Sequence, residues 1–128
     1  MARIPRLLGA ILLTLACGSC RRPSDLPPDF EARLASAAAE REGRRVFLRN
    51  CALCHGDRGD GRGARLSGFS TPPRDFTNPA WQRSTSAQRV FRHIRDGLPG
   101  TAMPGWRVLG DDGLVDVTAY VLSLRREQ

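Results

Sequence analysis

The segment Cys51-Ala52-Leu53-Cys54-His55 decides how the rest of the chain can be interpreted. Covalent attachment of haem uses this pattern, because two thiols add across the two vinyl groups of the porphyrin and the adjoining imidazole binds the iron. On a helix, residues at i, i+3 and i+4 share one face, so Cys51, Cys54 and His55 can reach the same flat macrocycle. The spacing therefore predicts a haem-binding site at these three residues.

Two other kinds of site also use a Cys-x-x-Cys pair. Tetrahedral zinc needs four ligands, and beyond the first 20 residues the chain offers only His93 in addition to Cys51, Cys54 and His55. A redox-active dithiol usually accompanies a strand-helix-strand pattern, which this sequence does not show. Haem attachment is therefore the favoured interpretation, with a redox dithiol and a zinc site as the alternatives.

Residues 1–16 have the composition of a secretory signal peptide. Arg3 and Arg6 precede an apolar run that is too short to span a bilayer as a mature helix. A small residue before Cys17 resembles a bacterial lipoprotein cleavage site, so lipidation of Cys17 is favoured over lipidation of Cys20 and over cleavage to a soluble product. We therefore predict export to the periplasm, with a lipid on Cys17 as a membrane anchor.

The remainder of the chain has room for one domain. Residues 17–28 are polar and contain proline, which predicts a tether, and residues 29–128 are predicted to form the domain. Thioethers and disulfides both belong to oxidising compartments, which agrees with export.

The charge of the chain bears on its partners. All twenty basic residues are arginine and the formal net charge is +7, of which +5 remains without residues 1–16. Two haem propionates would lower this to about +3, an excess that suits an acidic protein partner but not nucleic acid. Basic and acidic residues alternate, so a mixed solvated surface is favoured over a dedicated docking patch.

Apolar periodicity predicts an all-α domain that begins with a weakly amphipathic helix. Asp29 is its expected N-cap, and the helical pattern runs to Glu42. Residues 43–54 continue the pattern, with Gly43 and Phe47 on the same face as the cysteines. A glycine inside a helix costs about 1 kcal/mol relative to alanine, so Gly43 marks either a break or the close approach of another backbone, and the second is favoured.

The middle of the chain is predicted to be a long loop followed by a short helix. Residues 56–78 are rich in glycine, proline and arginine, and a large apolar cofactor would give such a loop a surface to wrap. Residues 84–86 can cap a helix over residues 87–96. In this helix His93 has charged neighbours and is predicted to be an exposed or partly buried residue rather than a ligand. Met103 follows in an extended segment. A lone methionine is more often a core residue than a ligand, but its place outside any amphipathic element keeps ligation open as the alternative.

The last helix has the clearest pattern. Asp111 or Asp112 is its expected N-cap. Its apolar residues recur at spacings of three and four, at Leu114, Val117, Val121 and Leu124. We expect this apolar face to pack on the face that carries Gly43 and Phe47.

Together these features resemble class I cytochromes c, in the small bacterial monohaem group. The resemblance covers residues 43–124 and includes the attachment motif, the glycine-rich loop, the segment 100–104 and the last helix with Tyr120. It implies an all-α fold of three to four helices around one covalent haem c. It also implies that His55 and Met103 are the axial ligands of the iron.

The chain departs from the family pattern at one point. The family often has a proline after its glycine-rich turn, whose carbonyl accepts the second N–H of the proximal histidine. Here Gly63 is followed by Ala64. No residue is therefore assigned to that role.

The resemblance implies one-electron transfer rather than catalysis. Histidine and thioether ligands would fill both axial positions of the iron, and the soft thioether would favour ferrous iron. The expected partners are redox proteins, in particular a membrane-bound oxidase or reductase. The alternatives are a haem subunit of a terminal oxidase or reductase, and a peroxidase-like haem enzyme with a displaceable methionine, for which the sequence offers no acid–base pair.

Overall fold

Helices make up all of the regular secondary structure in residues 25–65 and 68–126, the parts of the chain that the computed structural model describes. Within them the α-helices are α1 Phe30–Leu34, α2 Ala37–Asn50, α3 Ala52–His55, α4 Pro79–Ser84, α5 Ala87–Asp96 and α6 Gly110–Ser123, with 3₁₀ turns at Arg107–Leu109 and Leu124–Arg126. The prediction of an all-α domain is confirmed, with α2, α5 and α6 as its three helices of ten or more residues. The predicted signal peptide, Cys17 and Cys20 lie outside the described residues.

The first predicted helix is two helices. Ser36 interrupts it, because its side-chain oxygen accepts the Ala38 N–H at 3.1 Å and caps α2. Asp29 occupies the N-cap position of α1 but makes no side-chain capping bond. Helix α2 then passes through Gly43 without a break. The prediction of one helix from Asp29 to Glu42 is therefore wrong, since the chain breaks before Gly43, at a serine that caps the second helix.

Gly43 lies where α2 and α6 cross. A Cβ atom on Gly43 would be 1.8 Å from the carbonyl oxygen of Asp116 and 2.5 Å from its carbonyl carbon. One helical turn further on, Phe47 is fully buried and packs edge-on against Tyr120, with ring centroids 5.2 Å apart. The predicted close approach at Gly43, and the pairing of this face with the last helix, are confirmed.

An ion pair joins α1 to α6. The Nε and Nη2 atoms of Arg33 donate to the two carboxylate oxygens of Asp116, at 3.1 and 3.2 Å, and Nη1 lies 2.9 Å from Asp112. Asp116 is only 5% exposed, so this bidentate partner compensates for the loss of its hydration.

Helix α6 begins differently from the prediction. Leu109 holds its N-cap position and no side chain caps it, while Asp111 and Asp112 lie in the first turn. There their negative charges suit the positive end of the helix dipole. The predicted apolar face is buried as expected, at Leu114, Val117, Val121 and Leu124.

The packed part of the chain starts earlier than the sequence suggested. Leu26 packs against the core, and Asp25 forms ion pairs with Arg92 and Arg95 on α5. Both residues fall in the segment interpreted as a tether. Among the helices of the described residues, none is both long enough and apolar enough to cross a membrane.

Candidate haem-binding site

The attachment motif forms a turn between α2 and α3. The Cys51 N–H donates to the Phe47 carbonyl at 2.8 Å, which completes α2. The N–H groups of Cys54 and His55 both donate to the Cys51 carbonyl, at 3.1 and 2.9 Å. This bonding brings the two cysteines and the histidine into a single turn. Both cysteines are unpaired and half-buried.

A backbone carbonyl orients the imidazole of His55. Its Nδ1 atom lies 3.0 Å from the carbonyl oxygen of Arg74, and because a carbonyl only accepts, Nδ1 must carry the proton that it donates. Burial lowers the pKa of His55 below its ordinary value, while the hydrogen bond to Arg74 opposes that shift. The ring is therefore neutral at pH 7, and its Nε2 atom carries the lone pair that can bind a metal.

Phe76 holds the same imidazole from one face. The two rings are stacked, with centroids 4.5 Å apart and planes 20° from parallel. Phe76 is itself buried between Phe47, at 6.2 Å, and Trp81, at 5.2 Å between centroids. Neither Phe76 nor the Arg74 carbonyl was assigned a role from the sequence. The only sequence signal near them is the Pro72-Pro73 pair, which marks a turn without showing where it points.

The loop of residues 56–78 is fastened to the attachment turn. Gly63 N–H donates to the Cys54 carbonyl at 3.2 Å, and Arg65 N–H donates to the Leu53 carbonyl at 2.9 Å. A Cβ on Gly63 would be 2.4 Å from the Leu53 oxygen and from the Cys54 carbonyl carbon. The loop backbone thus lies directly on α3 and fixes the segment between the two cysteines.

The raised pKa of Cys51 argues against a redox dithiol. Burial, and secondarily the neighbouring Cys54, raise the pKa of Cys51 to about 12. A dithiol that exchanges with disulfides needs an attacking thiol of low pKa instead. Within residues 25–65 and 68–126, no three His, Cys, Asp or Glu side chains converge in a way that could hold a metal ion, so a zinc site would lack ligands there.

Met103 lies on a separate loop that contacts the same core. This loop, residues 97–105 and hereafter the Met103 loop, carries the half-buried Met103 side chain against the hydrophobic cluster that Cys51 also contacts. A Cβ on Gly97 would be 2.7 Å from the Gly105 nitrogen and 2.8 Å from the Met103 carbonyl oxygen. The two ends of the loop, at Gly97 and Gly105 and hereafter called its neck, are therefore in direct contact. His93, the competing imidazole, is exposed on α5, as predicted.

The side chains of this site fit haem c by their chemistry. Two unpaired thiols lie in one turn with a neutral imidazole whose Nε2 is available for a metal, and a thioether packs against the same core. This set of two thiols, an imidazole and a thioether suits covalent attachment and axial ligation of haem iron.

Residues 38–121 match the family model described as "Cytochrome C oxidase, cbb3-type, subunit III". The chain belongs to this family of c-type cytochromes. Its function is therefore electron transfer by a covalently bound c-type haem. The resemblance seen in the sequence is confirmed.

Two curated relatives differ in how much of their length this cytochrome spans. It is 31% identical to cytochrome c55X of Paracoccus denitrificans over 129 residues, which covers 99% of this chain and 100% of that protein. It is 32% identical over 83 residues to the cbb3-type cytochrome c oxidase subunit FixPc of Rhizobium leguminosarum, which covers 64% of this chain and 26% of that subunit. The chain thus spans the whole of the first relative and about a quarter of the second.

Solved structures share the fold. A chain of the reducing HAO-like protein complex of Kuenenia stuttgartiensis superposes with a TM-score of 0.62 at 30% identity, covering 70% of this chain and 44% of that one. The KustC0563 c-type cytochrome superposes with a TM-score of 0.53 at 27% identity, covering 64% of this chain and 95% of that one.

Proposed function

We propose that this cytochrome carries one haem, attached through Cys51 and Cys54 and ligated by His55 and Met103. We further propose that it exchanges single electrons with a membrane-bound oxidase or reductase outside the cytoplasm. The observation that carries the proposal is the His55 imidazole, which the Arg74 carbonyl holds in one tautomer beside two free thiols.

When bound, haem supplies an iron centre that gains and loses one electron. The protein's part is to hold the ligands in fixed positions. The Arg74 carbonyl makes the His55 imidazole a stronger base, and Phe76 fixes the plane of its ring. The Met103 thioether is a soft donor that favours the ferrous state. If His55 and Met103 both bound the iron, no position would remain for oxygen or peroxide, so these residues suit a carrier rather than a peroxidase.

The first test concerns covalent attachment. Extraction of the wild-type protein with acid and organic solvent should leave the haem on the polypeptide, whereas the double variant Cys51→Ser, Cys54→Ser should release all of it. Leu53→Ala is the matched control, since Leu53 lies between the cysteines but is 56% exposed and should not affect attachment. Release of all the haem from the wild-type protein would falsify the attachment at these cysteines.

The second test concerns the axial methionine. The ferric protein should show the weak near-infrared band that arises from a thioether bound to iron, and Met103→Ala should abolish it. His93→Ala, at the exposed imidazole on α5, should leave the band unchanged. A band that survives in Met103→Ala, or disappears in His93→Ala, would contradict the assignment of Met103.

The protein could work with its redox partner either as a separate carrier or as a subunit of the partner complex. A separate small carrier is favoured because the match to cytochrome c55X extends over the full length of that protein. A haem-bearing subunit of an oxidase is the second candidate, supported by the match to part of a cbb3-type oxidase subunit. In both forms the net positive charge suits an acidic docking surface on the partner.

Lipidation of Cys17 would hold the carrier near a membrane-bound partner at high effective concentration. We expect the wild-type protein and Cys20→Ser in the membrane fraction of cells, and Cys17→Ser in the soluble exported fraction. If all three are soluble, the anchor is absent and the protein diffuses freely. If all three remain in the membrane fraction, attachment to a larger complex is favoured instead.

A further inference from the structure

The neck of the Met103 loop closes on the last turn of α5. Trp106 N–H, just after the loop, donates to the carbonyls of Ile94 and Arg95, at 2.9 and 3.2 Å. A Cβ on Gly105 would be 2.8 Å from the Arg95 carbonyl oxygen, so the loop backbone is in direct contact with the helix. The placement of the loop therefore depends on how firmly this end of α5 is held.

The side chain of Arg95 is the centre of a charged network around this neck. Its Nε and Nη2 atoms donate to both carboxylate oxygens of Asp96, at 3.0 and 2.8 Å. Its Nη1 and Nη2 atoms donate to the carbonyl and the carboxylate of Asp25, at 2.6 and 3.0 Å. Asp96 also pairs with Arg107, two residues beyond the loop. The ion pair between Asp96 and Arg107 thus connects the two sides of the neck.

Several features make this network stronger than an ordinary surface ion pair. The Arg95 side chain is only 16% exposed, and its guanidinium lies over the buried ring of Phe91, 5.6 Å from the centroid. Its hydrogen bonds lower the pKa of Asp96, which is therefore ionised at neutral pH. Isolated, exposed ion pairs contribute little to stability. An arginine that makes several hydrogen bonds and is partly shielded from solvent, in contrast, keeps its partners in fixed positions.

We propose that Arg95 and Asp96 are positioning residues for Met103, which hold the neck of its loop closed and so keep the thioether on the iron. They act through the loop backbone. Asp25 extends the same network to the segment that precedes the domain. This inference rests on the proposed role of Met103 as an axial ligand.

The test is titration of the ferric holoprotein with imidazole, which competes for the position of the thioether and removes its near-infrared band. Arg95→Gln is compared with Arg92→Gln, since both remove one positive charge from α5 and one ion pair to Asp25. Of these two arginines, only Arg95 also pairs with Asp96 in the part of the chain that the structure describes. We expect Arg95→Gln to bind imidazole about three- to tenfold more tightly, because opening the neck then breaks fewer charged hydrogen bonds. Arg92→Gln should stay within about twofold of the wild type.

A second matched pair covers the case in which Arg95→Gln fails to assemble. Asp96→Asn should also tighten imidazole binding, whereas Asp112→Asn should not, because Asp112 is exposed and pairs with Arg33 on α1. Equal tightening in a variant and its control would indicate a general charge effect and overturn the inference. A lower thermal midpoint with unchanged imidazole affinity would mean a purely structural role and would overturn it too.

The same measurements distinguish an error in the assignment of Met103 as a ligand from an error in this inference alone. If the wild-type protein lacks the thioether band, the assignment of Met103 as a ligand is wrong, and this inference, which depends on it, is wrong as well. A wild-type band together with wild-type imidazole affinity in Asp96→Asn overturns the inference alone.

Discussion

Replacement of Gly43 by alanine is expected to destabilise the holoprotein by more than about 3 kcal/mol, which for a domain of this size lowers the thermal midpoint by roughly 12 °C or more. The added methyl carbon would lie 1.8 Å from a backbone oxygen of Asp116. That distance is about half of a normal van der Waals contact, and the obstacle is backbone rather than a side chain that could rotate away. The helices α2 and α6 would have to move apart, which would open the packing of Phe47 against Tyr120.

Gly113→Ala is the matched control, because it is the same substitution inside α6. A Cβ there would meet only the Cβ of Leu109, at 3.1 Å. Alanine is a better helix former than glycine by about 1 kcal/mol, which offsets a small adjustment of that side chain. Thermal unfolding of the two holoproteins, followed by circular dichroism, should therefore separate them clearly. A midpoint for Gly43→Ala equal to that of Gly113→Ala would mean that the two helices do not cross at Gly43.

With Met103 as the proposed axial ligand, replacement of Gly97 by alanine is expected to remove the thioether from the iron at neutral pH. Gly97 has a φ of 76° and a ψ of −173°, a conformation found almost only for glycine, which would cost an alanine about 1–3 kcal/mol. Its Cβ would also lie 2.7–2.8 Å from backbone atoms of Gly105, Met103 and Pro104. The neck of the Met103 loop cannot stay closed around that atom. The near-infrared band should disappear, and the midpoint potential should fall because the ferrous state loses its soft ligand.

Gly100→Ala separates steric contact from backbone strain. Gly100 lies in the same loop with a φ of +79°, but a Cβ there would meet nothing within 4 Å. Gly100→Ala should therefore have only the cost of the positive φ, without a steric clash, and should keep the near-infrared band. Loss of the band in both variants would show that strain is sufficient, while its survival in Gly97→Ala would show that the neck is not rigid.

The predictions from sequence succeeded where the determining contacts are local. Helix α5 runs from Ala87 to Asp96, as its pattern predicts, and Ser86 caps it by accepting the Arg89 N–H at 3.2 Å. The apolar spacing of α6 likewise predicted its buried face. Both signals depend on residues within a few positions of each other, so that the fold of the rest of the chain changes them little.

The errors also have physical reasons. Helix α4, Pro79–Ser84, was not predicted, although Asn78 caps it by accepting the N–H groups of Ala80 and Trp81 at 2.9 and 3.1 Å. A helix of six residues has too few turns for an apolar period to be visible. The alanines that flank the capping serine before α2 favour helix on both sides of it, so the sequence pattern does not mark this serine as a cap.

The sequence by itself determined which side chains are proposed to hold the haem, because attachment and proximal ligation would depend on residues one turn apart, Cys51, Cys54 and His55. The tertiary structure alone decided how His55 is held. The acceptor for its Nδ1 is the carbonyl of Arg74, 19 residues away. Every residue has such a carbonyl, so no side-chain pattern marks the one that is used. The position of this carbonyl follows from the path of the loop. Long-range backbone hydrogen bonds set that path only once the chain has folded, for example the bond from the Phe76 N–H to the Gly59 carbonyl, at 2.7 Å.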